Sequence, residues 1–266
     1  MIDSEMDKAG KIYWDSTERN NIKSHAFSPI KGIRGYGRRI WDSAFDEAFS
    51  GFECRGKKLL ELGCGNSSYL PYFAKKYGFS IHGIDYSESG CILARQMCAL
   101  NSVDSEIICA DIFCPPVELF GQFDVVVSFG VLEHFTDTSS ALSKFAKYLR
   151  PGGTILTVVP NMKGLTGLGQ KYINSDIYDL HELIDLNRMR NAHENAGLTV
   201  VVNKYLLFMN FGVINPAINI SKIKKVLFSS LKIMTGFVWV IETITCSLPA
   251  NSFTSPYILC IARLSK

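Results

Sequence analysis

The sequence predicts an α/β fold: a mostly parallel sheet with helices on both faces. Three observations carry this reading. From Lys57 onward, short apolar or alternating runs that suit strands take turns with amphipathic runs that suit helices. The first of these strands runs into a glycine-rich turn, Gly63-Cys64-Gly65, with a helical pattern behind it, as in the repeating unit of a parallel sheet. The series closes with strands at 198–207 and 255–264 separated by an insertion, which predicts a hairpin-like terminal pair with one strand reversed.

In chain order, "GYGRRIWDSAFDEAF" (35–49) predicts a helix with Ile40, Trp41, Ala44, Phe45 and Phe49 on one face. "KKLLEL" (57–62) is the first strand, and "SSYLPYFAKKYG" (67–78) a helix ending at glycine. "SIHGID" (80–85) alternates as a strand, and "SESGCILARQMCALN" (87–101) is an amphipathic helix with a serine cap. Strands follow at 106–111 and 123–130. A helix over 138–153 is expected to stop at Pro151 and Gly152, ahead of a strand at 154–160. Residues 161–176 read as a looser stretch, residues 177–197 as one helix ending at Gly197, and residues 208–252 as an insertion. The expected organisation is an N-terminal helical extension or lid over residues 1–56 and one domain over 57–266.

Composition narrows the class. With 266 residues, 47% hydrophobic and 20% charged, the chain can bury a large core, which excludes global disorder. The net charge of +3 names no partner, but from residue 201 onward seven basic residues face a single acid, Glu242. The eight cysteines form no C-x-x-C pair, and the polar start of the chain has no leader pattern. A cytoplasmic protein with reduced thiols is expected. The five histidines stand singly, without metal-ligand spacing, so no metal is expected.

A strand feeding a glycine turn into a helix is a nucleotide-binding device, because glycine lets the backbone approach a ligand and the helix start offers N–H groups. Asp85 closes the next strand, 20 residues beyond Gly65, the spacing for an acid that binds two ribose hydroxyls. A dinucleotide fingerprint would want glycine at position 68, where this chain has Ser68. A ligand without phosphates makes no such demand.

Five ordered pieces resemble the class I S-adenosylmethionine-dependent methyltransferases: "LLELGCGNSS", "IHGIDYS", "CADIF", "FDVVVSFGVLEHF" and "LRPGGTILTVVPN". They span roughly residues 57–161. The resemblance implies a seven-stranded sheet with a reversed last strand. It implies S-adenosylmethionine as cofactor, held by Glu61, Gly63, Cys64, Gly65 and Asn66 of the loop and by Asp85, Tyr86 and Ser87 of the acidic strand end. It places Asp111 near the adenine amine, Ile112 against the ring, and Ser128, Phe129 and Gly130 along the methionine end. Ser67 stands where the family usually has a third glycine. The "VLEH" and "LRPGG" pieces look most like the branch of quinone-biosynthesis and of sugar or polysaccharide methyltransferases, which implies a small-molecule acceptor, sugar- or lipid-linked, and transfer to a hydroxyl oxygen. Nothing points to nucleic acid, since an N/D-P-P-Y/F motif and an aromatic-laced basic groove are both missing.

Methyl transfer from a sulfonium needs alignment, exclusion of water and, for a hydroxyl acceptor, removal of a proton. His134, just past the fourth strand, is the candidate base, set against a reading in which Glu133 and His134 only brace the loop. His181 is a second candidate on the substrate side. Tyr13 and Trp14 are candidates for an aromatic lid over the sulfonium. In the insertion, residues 221–249 place Ile223, Leu227, Leu231, Met234, Val238 and Ile241 on one stripe. The longest uncharged apolar run, 233–241, is nine residues, which argues against a spanning helix. A substrate cap, a homodimer contact and an anionic membrane surface remain open roles for it. Two other classes stay open beside the transferase: a non-catalytic S-adenosylmethionine-binding or membrane-peripheral module, and a nicotinamide-dependent oxidoreductase.

Overall fold

The computed structural model describes residues 8 and 10 and residues 26–217, 219–245 and 248–265. Strands β1 (Lys58–Leu62), β2 (Ser80–Asp85), β3 (Ser105–Cys109), β4 (Phe123–Phe129), β5 (Leu149–Pro160), β6 (Leu198–Leu206) and β7 (Tyr257–Leu264) form one sheet in the order β3-β2-β1-β4-β5-β7-β6. The first five pair in parallel, and β7 runs antiparallel to both β5 and β6. Strand β7 carries the near-continuous apolar run Ile258–Ala262, and every residue of that run is at most 3% exposed. Such a run suits a strand covered on both faces, and it takes the interior position between β5 and β6.

The pleat divides the core in two. Leu59, Val125, Val127, Leu156, Val158 and Leu259 pack against helices α1 (Tyr36–Ala48), α2 (Leu70–Tyr77) and α3 (Glu88–Leu100). Leu60, Val126, Ile155, Ile258 and Cys260 face the opposite layer, built on α4 (Thr138–Ala146) and, further along the chain, α7 (Leu186–Asn195). The expected α1 face is confirmed, with Trp41, Ala44, Phe45 and Phe49 buried. Ser87 caps α3 by accepting the Gly90 N–H at 3.1 Å.

Several local expectations give way. The helix expected over 138–153 ends at Ala146, and Leu149 already belongs to β5. Tyr148 is fully buried and its hydroxyl donates to the Ile112 carbonyl at 2.7 Å, which pulls the chain into the sheet three residues before Pro151. Pro151 and Gly152 lie in a register shift between the Phe123–Leu149 and Val125–Thr154 pairs. The "looser stretch" contains helix α5 (Leu165–Ile173). The helix expected over 177–197 is two pieces, α6 (Ser175–Asp179) and α7, because Asp185 caps α7 by accepting the Arg188 N–H at 2.9 Å.

The insertion forms one long helix, α8 (Lys222–Thr245), docked on α5 and the 208–214 segment through a small third core of Ile173, Met209, Phe211 and Ile214. Its docked face is Phe228, Leu231, Thr235, Val238, Trp239 and Glu242. This corrects the sequence-derived stripe: Ile223 and Ile241, which it included, are 74% and 50% exposed. By length and composition α8 suffices to cross a membrane, so a nine-residue run was too strict a test. Its acid, Glu242, lies on the docked face, where the Tyr36 hydroxyl donates to it at 2.9 Å.

Candidate functional site

The chain builds outward from β1 through β2 to β3, then returns to β4 on the other side of β1. The carboxyl ends of β1 and β4, in register at Leu62 and Ser128, therefore flank the point where strand order reverses, the crevice in which open α/β sheets hold ligands. Gly63 turns the chain there with φ of +69°, and a Cβ at this position would lie 2.5 Å from Val131 Cγ2. Gly65 is held by close approach: an added Cβ would meet Asp85 Oδ2 at 2.9 Å and Gly90 Cα at 3.3 Å. Asn66 takes the left-handed conformation, φ +54°, that asparagine tolerates better than most residues. Cys64 is fully buried against β2, and burial pushes its thiol well above the ordinary range, so it acts as packing rather than as a nucleophile.

Asp85 organises the loop. One carboxylate oxygen accepts the Gly65 N–H at 2.8 Å and the other accepts the Ser87 N–H at 2.8 Å. A carboxylate has about four acceptor sites, so tying the loop and binding ribose hydroxyls are compatible. Tyr86 follows it, half-buried. Ser67, where a third glycine was expected, earns its place through its side chain rather than its backbone. Its hydroxyl donates to the buried Glu61 Oε2 at 2.7 Å and accepts the Tyr69 N–H at 3.1 Å. The substitution thus fixes Glu61 and the entry to α2.

Beyond β3, Asp111 accepts the Phe113 N–H at 2.9 Å, while Ile112 is 5% exposed and belongs to the second core. At the end of β4, Ser128 is fully buried, and its hydroxyl has no partner among the described residues. Phe129 stacks into an aromatic group that sequence reading missed: Tyr69 at 4.8 Å, with Trp41 at 5.9 Å from Phe129 and 5.1 Å from Tyr257. These four rings come from α1, the glycine loop, β4 and β7. Only the repeated aromatics on the predicted α1 face hinted at them. The half-buried Asp85 with its oriented carboxylate, the glycine cradle and the orphaned Ser128 hydroxyl fit an adenosyl ligand with a polar tail.

On the far side of the crevice, Gly130 (φ +71°) leads into a short turn, Leu132–His134. Glu133 is 2% exposed, and burial raises its carboxyl to about 8. Its Oε2 has no partner among the described residues. His134 is 5% exposed with Nδ1 3.1 Å from the Leu180 carbonyl, and His181 Nδ1 lies 2.6 Å from the Ile177 carbonyl. The two imidazole centroids are 5.0 Å apart. A backbone bond from the Glu182 N–H to the Glu133 carbonyl, 2.6 Å, fastens the segments together. The structure therefore brings together the two histidine candidates that the sequence offered separately. Lys8 reaches the same place: its N–H donates to the His134 carbonyl at 2.9 Å, and its ammonium lies 3.3 Å from Glu182. Tyr13 and Trp14, the lid candidates, lie outside the described residues. His82 and His193 are structural: His193 is fully buried, 3.1 Å from Thr157, and burial pushes it down to about 4.

Residues 60–157 match the family model described as a methyltransferase domain. Curated relatives include ubiquinone biosynthesis O-methyltransferases. The Pseudomonas aeruginosa protein is 34% identical over 155 residues, covering 54% of this chain and 66% of the relative. The Thiobacillus denitrificans protein is 34% identical over 124 residues, covering 44% and 52%. The chain thus spans less than two thirds of these relatives' length. Among solved structures, magnesium protoporphyrin IX methyltransferase from Synechocystis with bound SAH superposes with TM-score 0.59 at 14% identity, covering 96% and 97% of the two chains. Geranyl diphosphate C-methyltransferase from Streptomyces coelicolor gives 0.58 at 12% identity, covering 95% and 96%.

Proposed function

We infer that this chain, a class I S-adenosylmethionine-dependent methyltransferase by its fold and its domain family, moves a methyl group to a hydroxyl oxygen of a small acceptor. One observation carries the cofactor reading above the others. Asp85 sits at the end of β2 with its carboxylate oriented by two loop N–H groups, beside a Gly65 that leaves no room for a side chain. In this reading Glu61, Gly63, Cys64, Gly65, Asn66, Tyr86, Ser87, Asp111, Ile112, Ser128, Phe129 and Gly130 are the residues that would hold the cofactor, on the strand ends and loops of the motif set. When bound, S-adenosylmethionine supplies an electrophilic methyl on sulfur; the protein's part is to align the acceptor, exclude water and take up one proton. The pairing of the His134 and His181 imidazoles, centroids 5.0 Å apart, supports reading them as the groups that handle that proton. Lys8 is fastened beside them through its N–H to the His134 carbonyl. Transfer to oxygen agrees with the relatives' description as O-methyltransferases.

The acceptor is read as apolar or lipid-linked and met at an anionic membrane surface, because of α8. Opposite its docked face, Ile223, Val226, Ile233, Phe237 and Ile244 are 60–77% exposed, and Lys222, Lys225 and Lys232 flank them. Calorimetric titration with S-adenosylhomocysteine, with NADH as comparison, tests the cofactor reading. Binding of the first alone supports it; binding of NADH alone returns the oxidoreductase alternative. Co-sedimentation with anionic and zwitterionic vesicles tests the surface. Concentration-dependent dimers with no vesicle binding would assign the exposed face of α8 to a second copy instead.

A further inference from the structure

We propose that Cys91 and Cys109 are a thiol pair that hydrogen peroxide converts to a disulfide, and that this bond switches off binding at the crevice. Cys91 lies in the first turns of α3, and Cys109 is the last residue of β3. Both thiols wrap the same stretch of chain. Cys91 donates to the Asp85 carbonyl at 3.3 Å, with the Ile108 carbonyl at 3.7 Å, and Cys109 Sγ stands 3.9 Å from the Tyr86 carbonyl oxygen. The two thiols also hydrogen-bond one another. Cys109 is exposed and Cys91 is buried. That asymmetry suits a peroxide sensor: an accessible sulfur meets the oxidant, and a shielded one behind it resolves the product. Burial pushes the Cys91 thiol up to about 12, which leaves Cys109 as the sulfur that reacts first.

The steps balance without any other reagent. The Cys109 sulfur attacks the O–O bond of hydrogen peroxide, takes one oxygen as a sulfenic acid and releases one water. The Cys91 sulfur then attacks the Cys109 sulfur. The S–S bond forms as the S–O bond breaks, and hydroxide leaves with the Cys91 proton as a second water. The pair loses two electrons and two protons, and the peroxide is reduced by the same two electrons.

Resting on the cofactor reading, the bond regulates that same site. Cys91 follows Gly90, which packs against the glycine loop: a Cβ on Gly90 would stand 3.0 Å from Gly65 Cα, and the Asn66 N–H reaches the Gly90 carbonyl at 3.4 Å. On the other side, Cys109 is the register partner of Asp85, and the Ala110 N–H donates to the Asp85 carbonyl at 2.9 Å. A disulfide is about 2.0 Å long, shorter than any contact between two thiols, so forming it draws α3 and the end of β3 together. The pull falls at once on Gly90 and Asp85, the two residues against which the loop is packed. It also removes the S–H donor from the Asp85 carbonyl.

The test uses the full chain, reduced and then treated with hydrogen peroxide. Differential alkylation and peptide mapping should find Cys91 joined to Cys109, with the mass of two hydrogen atoms lost. S-adenosylhomocysteine affinity of the joined protein should fall about tenfold or more and return with dithiothreitol. Cys109→Ser changes an exposed side chain, so it should fold, bind as the reduced parent does and ignore peroxide. Cys114→Ser, which removes the other exposed thiol among the described residues, should respond as the parent does. Oxidation of Cys109 without a link to Cys91, or a joined protein that binds within about threefold of the reduced one, overturns the proposal. A peroxide response that persists in Cys109→Ser does so too. A reduced parent that binds no S-adenosylhomocysteine would refute the cofactor reading and with it the switch, while the mapped link still decides whether the pair forms.

Discussion

Replacing Gly65 with alanine tests the crevice at its tightest point. The new Cβ would stand 2.9 Å from Asp85 Oδ2, 3.4 Å from Asp85 Cγ and 3.3 Å from the backbone Cα of Gly90. The backbone of α3 is fixed, so relief comes from the carboxylate. Turning it away breaks the 2.8 Å bond from the Gly65 N–H. A hydrogen bond to a charged acceptor contributes about 1.5–3 kcal/mol, and the same movement takes the carboxylate from the place where ribose hydroxyls would meet it. At about 1.4 kcal/mol per factor of ten, S-adenosylhomocysteine affinity should fall roughly 10- to 100-fold. Overpacking costs a further ~1–3 kcal/mol of stability, a fall in Tm of about 2–4 °C for each kcal/mol. Calorimetry on the parent and Gly65→Ala, with differential scanning calorimetry on both, separates the two effects. Gly236→Ala, where an added Cβ meets nothing within 4 Å, is the control and should bind as the parent does. A folded Gly65→Ala protein that binds within threefold of the parent would refute the argument that Asp85 is both loop anchor and ligand contact.

Ser67→Ala removes a donor to the buried Glu61 and an acceptor for the Tyr69 N–H; a loss of about 1–3 kcal/mol in denaturant melts is expected, with weaker cofactor binding. His134→Ala should lower kcat by about 100-fold or more while S-adenosylhomocysteine Kd stays within a few-fold, by single-turnover assay and calorimetry. Burial holds the Glu242 carboxyl above its ordinary value of 4.5. The folded state therefore keeps the proton more tightly, and stability is lost as pH rises from the unfolded value through the raised folded one. Glu242→Gln keeps an acceptor for Tyr36 and should narrow the difference in Tm between pH 5 and pH 8; an unchanged difference would remove Glu242 as its source. Phe237→Glu alters a side chain that is 66% exposed, so the melt should hold while anionic-vesicle binding falls about tenfold or more, as expected when one large apolar contact is replaced by a charge.

The glycine–acid frame of the crevice was largely legible because its geometry is local. Gly63, Gly65 and Asp85 lie at fixed offsets along one strand–turn–helix–strand unit, and the turn needs glycine for steric reasons that hold in any such unit. Even there, the role of Ser67 was invisible, since Glu61 and Ser67 meet only when the loop folds back over the end of β1. The pairing of the two candidate histidines was not legible. His134 and His181 are 47 positions apart, and each alone reads blandly, the first as a loop histidine and the second as a helix histidine. Their approach depends on the break between α6 and α7, which the uninterrupted helical pattern over 177–197 concealed. Helix α8 shows the same limit. It is apolar on two opposite faces, so periodicity found a stripe between them and could not tell which face docks.

The sequence by itself determined the layer architecture, the parallel sheet with its reversed strand, and the glycine–acid frame, because patterning with the periods of strand and helix, and the sterics of tight turns, act within a few residues. Only the tertiary structure decided that Glu133, whose buried Oε2 has no described partner, stands beside two histidines, and that α8 turns an apolar face outward. Both depend on how distant segments dock, and docking energy is shared among contacts that no single stretch of sequence contains.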